Sequence, residues 1–170
     1  MILPMEGDAA RGWTPGKPTV FLSTPAIETV PMFSPDGRWI AYVSNEAGRS
    51  DVDVRPFPGP GGKWRVSTKG GAWPHWSTAS HELLFMGQGK VMSAPYAAVG
   101  DSFRPDTPQM WSPTRVRSGS ALAGDLYDVH PDGKRLAVAV DLATSSVVQD
   151  KVVFVFNFGE YLRQLTATKT

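Results

Sequence analysis

Hydrophobic and polar positions along this chain alternate in short runs of strand length, separated by turn residues. Residues 31–44 (PMFSPDGRWIAYVS) and 127–140 (YDVHPDGKRLAVAV) each join two apolar runs through Pro-Asp-Gly, and residues 74–87 (PHWSTASHELLFMG) repeat the spacing without those turn residues. Each segment predicts a β-hairpin. Pro35 and Pro131 preset φ near about −65°, Asp36 and Asp132 bond to local backbone, and Gly37 and Gly133 take the positive φ that closes the turn. The runs after the turns, 39–43 and 135–140, are β-branched and aromatic with few charges, as in an inner strand covered on both faces. The middle segment keeps Leu83, Leu84, Phe85 and Met86, so the apolar run persists where the turn chemistry is lost.

Between the hairpins the pattern predicts further strands. Residues 51–57 alternate valine with charge, which predicts a half-exposed strand with Asp51 and Asp53 on its solvated face. The Pro/Gly loop at 58–62 leads to a second alternating run at 63–68, and together these make a four-stranded unit. The next unit takes strands near 74–77, 82–86, 90–94 and 108–111, with the long connection at 95–107 read as a loop. A third takes strands at 125–130, 135–140 and 152–156, followed by a short helix at 159–165. Ahead of the first hairpin, 2–5 and 18–22 read as two strands joined through a loop at Gly7 and Asp8.

The hairpins recur at a spacing that fixes the architecture. Ser34, Ser77 and His130 occupy equivalent places, 43 residues from the first to the second and 53 from the second to the third. Repeats of roughly 40 to 50 residues are those of β-propeller blades. The expectation is an all-β partial propeller of about three four-stranded antiparallel blades with a short C-terminal helix, forming a single unit over 1–170. Its parts are outer strands of a preceding blade at 1–30, blades at 31–71 and 72–120, and a last blade with the helix at 121–170. Rings of this kind have typically four to eight blades, so such an arc calls for missing N-terminal blades or a second copy to complete it. Uncovered apolar faces at its ends favour that association.

Composition narrows the function. Seventeen glycines and fifteen prolines in 170 residues mark many turns. Seventeen Lys and Arg against sixteen Asp and Glu leave a formal net charge of +1, with no electrostatic drive toward nucleic acid. There is no cysteine and the three histidines sit on separate elements, so neither a disulfide nor a cysteine metal site is available, and the pattern calls for no cofactor. No apolar run reaches the roughly 18 residues a membrane span needs.

The hairpin formed by Pro31, Phe33 to Arg38 and Ile40 to Tyr42 resembles the signature repeat of TolB-like (WD-repeat-like) propellers. Residues 44–77 are similar to propeller segments that follow bacterial serine/threonine kinase domains, and the ending VVFVFNFGEYLRQL resembles the last strand and short helix of those chains. The resemblance implies a non-catalytic binding or sensory module in the C-terminal part of a longer protein, with protein partners and a periplasmic or other extracytoplasmic setting. It also leaves a different class open, the gating propeller of a prolyl-oligopeptidase-type serine hydrolase. No kinase motif occurs: H-R-D and D-F-G are absent, and the glycines at 59–62 open a strand.

Candidate chemistry is sparse. Asp36-Gly37 and Asp132-Gly133 are adjacent pairs, whereas the Asp-box of sialidase-type propellers has a residue between the two, so these aspartates read as turn formers. Ser118-Gly119-Ser120 is not the G-x-S-x-G elbow, and His81-Glu82 is not part of H-E-x-x-H, so no nucleophile or metal constellation stands out. His75 and His130 lie near the ends of inner strands. They read either as residues facing a central channel and a ligand, or as histidines satisfied within their turns. Trp73, Trp76 and Trp111 read first as packing between blades.

Overall fold

The structure is a computed structural model that describes residues 1–116 and 127–138, and every regular element among them is a β-strand. The chain opens with a hairpin of β1 (Met5–Asp8) and β2 (Gly12–Pro15), whose turn is held by the Asp8 carboxylate accepting the Ala10 and Arg11 N–H groups at 2.9 and 2.8 Å. A four-stranded antiparallel meander follows, β3 (Glu28–Phe33), β4 (Trp39–Ser44), β5 (Asp51–Pro56) and β6 (Trp64–Arg65), paired in that order. The second sheet runs β7 (Ala72–Trp76), β8 (Glu82–Gly87) and β9 (Lys90–Val99). The far half of β9 pairs with β10 (Ser102–Pro105), and its near half with β11 (Gln109–Arg115). A last hairpin joins β12 (Tyr127–Val129) and β13 (Leu136–Val138).

The three repeated hairpins close in one way despite their different residues. The N–H of Ser34, Ser77 and His130 each donates to the carbonyl five residues on, at Trp39, Glu82 and Arg135, over 2.9, 3.0 and 2.9 Å. In the outer two copies Asp36 and Asp132 accept the N–H of Arg38 and Lys134 at 3.1 and 2.8 Å, while Gly37 and Gly133 stand at φ +70° and +67°. The middle copy has neither Asp nor Gly there. Its Ser77 hydroxyl oxygen accepts the Ala79 and Ser80 N–H groups instead, at 3.3 and 3.2 Å. A short side-chain acceptor at the start of the turn does locally what an aspartate inside it does.

Strand alternation then builds two cores. Trp39 and Ala41 on β4 with Val52 and Val54 on β5 face Trp76, Leu83, Phe85 and Ala94 of the second sheet. Phe103 of β10 is 1% exposed and wedges among the rings of Trp39, Tyr96 and Trp76, with centroids 5.2, 4.9 and 6.0 Å away. On the opposite face of the second sheet, Leu84, Met86 and Val91 pack with Val116 and Tyr127, joined by the half-buried Leu136 and Val138. The first sheet, the second sheet and the last hairpin are thus stacked face to face, each bringing about 1.5 to 3 kcal/mol per fully buried large apolar side chain.

Several expectations change. The strands expected at 2–5 and 18–22 reduce to a single bridge between Ile2 and Thr19, and Gly7 and Asp8 end β1 instead of forming a loop. Every residue of β1 and β2 is exposed, so no buried face imprints a period there, and turn chemistry at Asp8 sets the pairing. The connection at 95–107, expected as a loop, is the β9–β10 extension anchored by Phe103. The run at 63–68 pairs only at Trp64 and Arg65. β5 is not half-exposed: Asp51 and Asp53 are both 0% exposed. The strand expected at 152–156 and the helix expected at 159–165 lie outside the described residues.

Candidate functional site

The repeated turns gather at one end of the stack. The Thr78 hydroxyl donates to the Pro131 carbonyl at 3.1 Å, linking the second turn to the third, and the Arg38 guanidinium donates to the Gly100 carbonyl, tying the first turn to the β9–β10 tip. Between the first and second turns lies a cleft of about 300 Å³ lined by Asp36, Arg38, Ser77, Thr78, His81 and Tyr96. It combines a carboxylate, a guanidinium, hydroxyls, an imidazole and a phenol within one recess. Arg38 also lies 5.8 Å from the Trp39 ring centroid, so its charge is positioned over an aromatic face. The His81 ring meets Tyr96 edge-on at 5.7 Å.

Electrostatics keep the turn aspartates ionised. Burial pushes the Asp36 carboxyl upward, but the Ser34 hydroxyl donating at 2.5 Å, the Arg38 N–H and the Arg38 charge together outweigh it and hold the group below the usual range. At Asp132 the Lys134 N–H is the main cause of a downward shift, helped by Arg135 at 2.9 Å. The Tyr96 phenol moves the other way, raised first by burial and then by the Asp36 charge.

The two histidines singled out from the sequence occupy different surroundings. His75 is buried on β7, with its ring 4.7 Å from that of Tyr127 and Nδ1 4.0 Å from Asp128, so it sits between the second sheet and the last hairpin. The Tyr127 hydroxyl donates to the Trp73 carbonyl at 2.7 Å across the same junction. His130 remains on its turn, where Arg135 Nη2 donates to Nε2 at 3.1 Å and the Asp132 carboxylate lies 3.1 Å from Nδ1. The Asp132 N–H also donates to Nδ1 at 3.2 Å, so the ring is held by its own turn. The turn residues Pro35, Asp36, Pro131 and Asp132 are surface residues of this end; Arg38 stood in the sequence only as part of the hairpin signature, and His81 and Tyr96 join the cleft through folding.

A second polar constellation covers the outer face of the first sheet. The register sets Tyr42 opposite Asp53, Ser44 opposite Asp51 and Asp53 opposite Arg65, so all of these side chains share one face. Arg65 bridges both acids, Nη1 to Asp51 at 3.2 Å and Nε to Asp53 at 3.1 Å. Arg49 reaches Asp51 at 3.1 Å, Lys63 reaches Asp53 at 4.0 Å, and the Ser67 hydroxyl donates to Asp51 at 2.8 Å. Arg55 Nε donates to the Tyr42 hydroxyl at 3.0 Å, and burial raises the Tyr42 phenol. The aspartates are dry because long basic side chains lie over them, a pairing that strict alternation in β5 concealed. Arg65, one strand further along, was the available signal.

Among the described residues no group of three or more His, Asp or Glu is placed to hold a metal ion, and no helix is long and apolar enough to cross a membrane. No known protein family matches the chain, and no curated protein matches it either.

Proposed function

We propose that this chain is an arc of propeller blades that acts as a non-catalytic protein-interaction or sensory module, with the turn end as its contact surface. The observation that carries this reading is the convergence of three separately encoded turns on one end, with a polar cleft between two of them. Such an end presents backbone turns, the Asp36 and Asp132 carboxylates, the Arg38 and Arg135 guanidinium groups and aromatic edges, the mixture that protein interfaces use at their rim and core. The repeat spacing and the TolB-like hairpin support the propeller assignment. Closing the arc into a ring takes further blades of a longer protein or a second copy, and light scattering on the chain separates the two.

The test is site-specific photo-crosslinking in the native host. A photoreactive residue at His81, inside the cleft, is compared with one at Ala47, in the turn at the opposite end of β4. A discrete cross-linked protein from His81 alone supports the reading; cross-linking from Ala47 alone, or from neither, overturns it. Hydrolysis of peptide, ester or phosphate substrates that disappears on changing one Ser, His or Asp defeats the non-catalytic part.

A further inference from the structure

We propose that the turn-end cleft takes an extended segment of a protein partner as an added strand on the free edge of β9, with recognition running through backbone hydrogen bonds at Ala98. This deepens the reading of the turn end as a contact surface and rests on it. β9 outruns the strand beside it. Its first half lies between β8 and β11, but β8 begins at Glu82, opposite Pro95, whereas β9 continues to Val99 with β10 on one side only. On the other side the lane along which β8 would continue is vacant. The cleft of about 300 Å³ lies there, lined by Tyr96 and Ala98 of β9, by Ser80 and His81 ahead of β8, and by Asp36 and Arg38 of the first turn.

Backbone alternation decides which groups face that lane. Along an antiparallel strand the N–H and C=O of successive residues point to opposite neighbours. The Tyr96 N–H donates to the His81 carbonyl at 3.0 Å, on the β8 side, while the Pro95 carbonyl accepts the Asp106 N–H at 2.8 Å, on the β10 side. Ala97 and Val99 therefore bond across to Arg104 and Ser102 of β10, and the N–H and C=O of Ala98 point into the cleft together with the Tyr96 carbonyl. Among the described residues no hydrogen bond from outside the β9–β10 pair reaches Ala98. An unpaired donor and acceptor on one edge residue are the groups an incoming strand takes up. At a rise of about 3.3 Å per residue, Tyr96 to Val99 offers about 10 Å of edge, the length of a short extended segment.

Two features set this edge apart. The other free edges of the two main sheets are blunted: β3, β7 and β11 carry Pro31, Pro74 and Pro113, β10 carries Arg104 and ends at Pro105, and β6 has only two residues. Ala97, Ala98 and Val99 have neither charge nor proline, and Val99 is 78% exposed. The edge is also fixed before anything binds. Phe103, opposite Ala98, packs among the rings of Trp39, Trp76 and Tyr96, and the Arg38 guanidinium donates to the Gly100 carbonyl at the hairpin tip. A strand docking on a fixed edge avoids the entropy of ordering that edge. On the facing wall the Asp36 carboxylate and the Arg38 guanidinium balance in charge, so the segment that fits is an uncharged one.

The experiment pans the full chain against a displayed library of random linear heptapeptides, titrates the recovered peptides calorimetrically, and follows amide hydrogen exchange by NMR. In the free chain Ala98 should exchange faster than Ala97 and Val99, whose N–H groups are bonded to β10. Peptide binding should slow Ala98 exchange by about tenfold or more. Ala98→Pro removes only the N–H that faces the cleft, so its melting temperature should hold while peptide affinity falls by about tenfold or more. The exchange measurement needs no variant and decides the matter even where Ala98→Pro fails to fold. A library that yields no peptide, binding that leaves Ala98 exchange unchanged, or equal affinity for a folded Ala98→Pro chain overturns strand addition. A cross-link from His81 alongside any of these results keeps the turn end as a contact surface and removes this mode of binding alone.

Discussion

Arg65 offers the sharpest test of how the first sheet is held together. Among the described residues it is the one side chain bridging both buried aspartates, and replacing it with methionine keeps the aliphatic cover while removing one charge-assisted contact to Asp51 and two to Asp53. Asp51 would retain Arg49 and Ser67, whereas Asp53 would keep only Lys63 at 4.0 Å, so Asp53 carries most of the loss. Removing one member of a fully buried pair costs about 3 to 5 kcal/mol. Arg65 is 34% exposed, so water reaches the vacated position and the expectation falls to roughly 2 to 3 kcal/mol. For a chain of this size that is a fall in melting temperature of about 4 to 12 °C. The assay is urea and thermal unfolding of Arg65→Met, Asp53→Leu and the double variant as a cycle. The double variant exchanges the pair for apolar contact and should recover most of the loss, giving a coupling energy above about 1 kcal/mol. Independent additive effects, or a single variant within about 0.5 kcal/mol of the parent, would refute the claim that these contacts are buried and coupled.

Gly37→Ala and Gly133→Ala should differ although both glycines have positive φ. At Gly37 a Cβ meets nothing within 4 Å, so the cost is the backbone term of about 1 to 2 kcal/mol, whereas at Gly133 it would lie 2.8 Å from the Ala79 Cβ and push the second and third turns apart; equal melting temperatures would contradict the packed turn end. Phe103→Ala should destabilise by about 3 to 5 kcal/mol and release β10 from the core, read as lost amide protection over 102–105 in hydrogen exchange; unchanged protection would return this segment to the status of a surface loop. Asp36 is held below its ordinary value of 3.8, so its contribution to stability is complete above that value and is lost as pH falls through the lower folded one. Asp36→Asn should therefore flatten the acid limb of a stability-against-pH curve below about pH 4 and leave its slope near neutrality unchanged.

The residues alone determined the hairpins. Pro-Asp-Gly between apolar runs specifies a turn through φ preferences and a local side-chain acceptor, which act within a few residues and need no tertiary partner, and Gly37 and Gly133 stand at positive φ accordingly. Apolar runs at 39–43 and 83–86 likewise named strands buried on both faces, whereas the run at 135–140, expected to be covered in the same way, has Ala137 exposed and Leu136 and Val138 half-buried over its described residues 136–138. Only the tertiary structure decided the fate of Asp51 and Asp53: alternation states that two faces differ, and whether the charged face meets water or Arg65 depends on a strand paired across the sheet. It also decided that a Gly/Pro-punctuated connection becomes a hairpin, since Phe103 earns its place through Trp39 and Trp76, far away in sequence. The same holds for the candidate site. Arg38, His81 and Tyr96 meet at the turn end through long-range packing that no local spacing encodes.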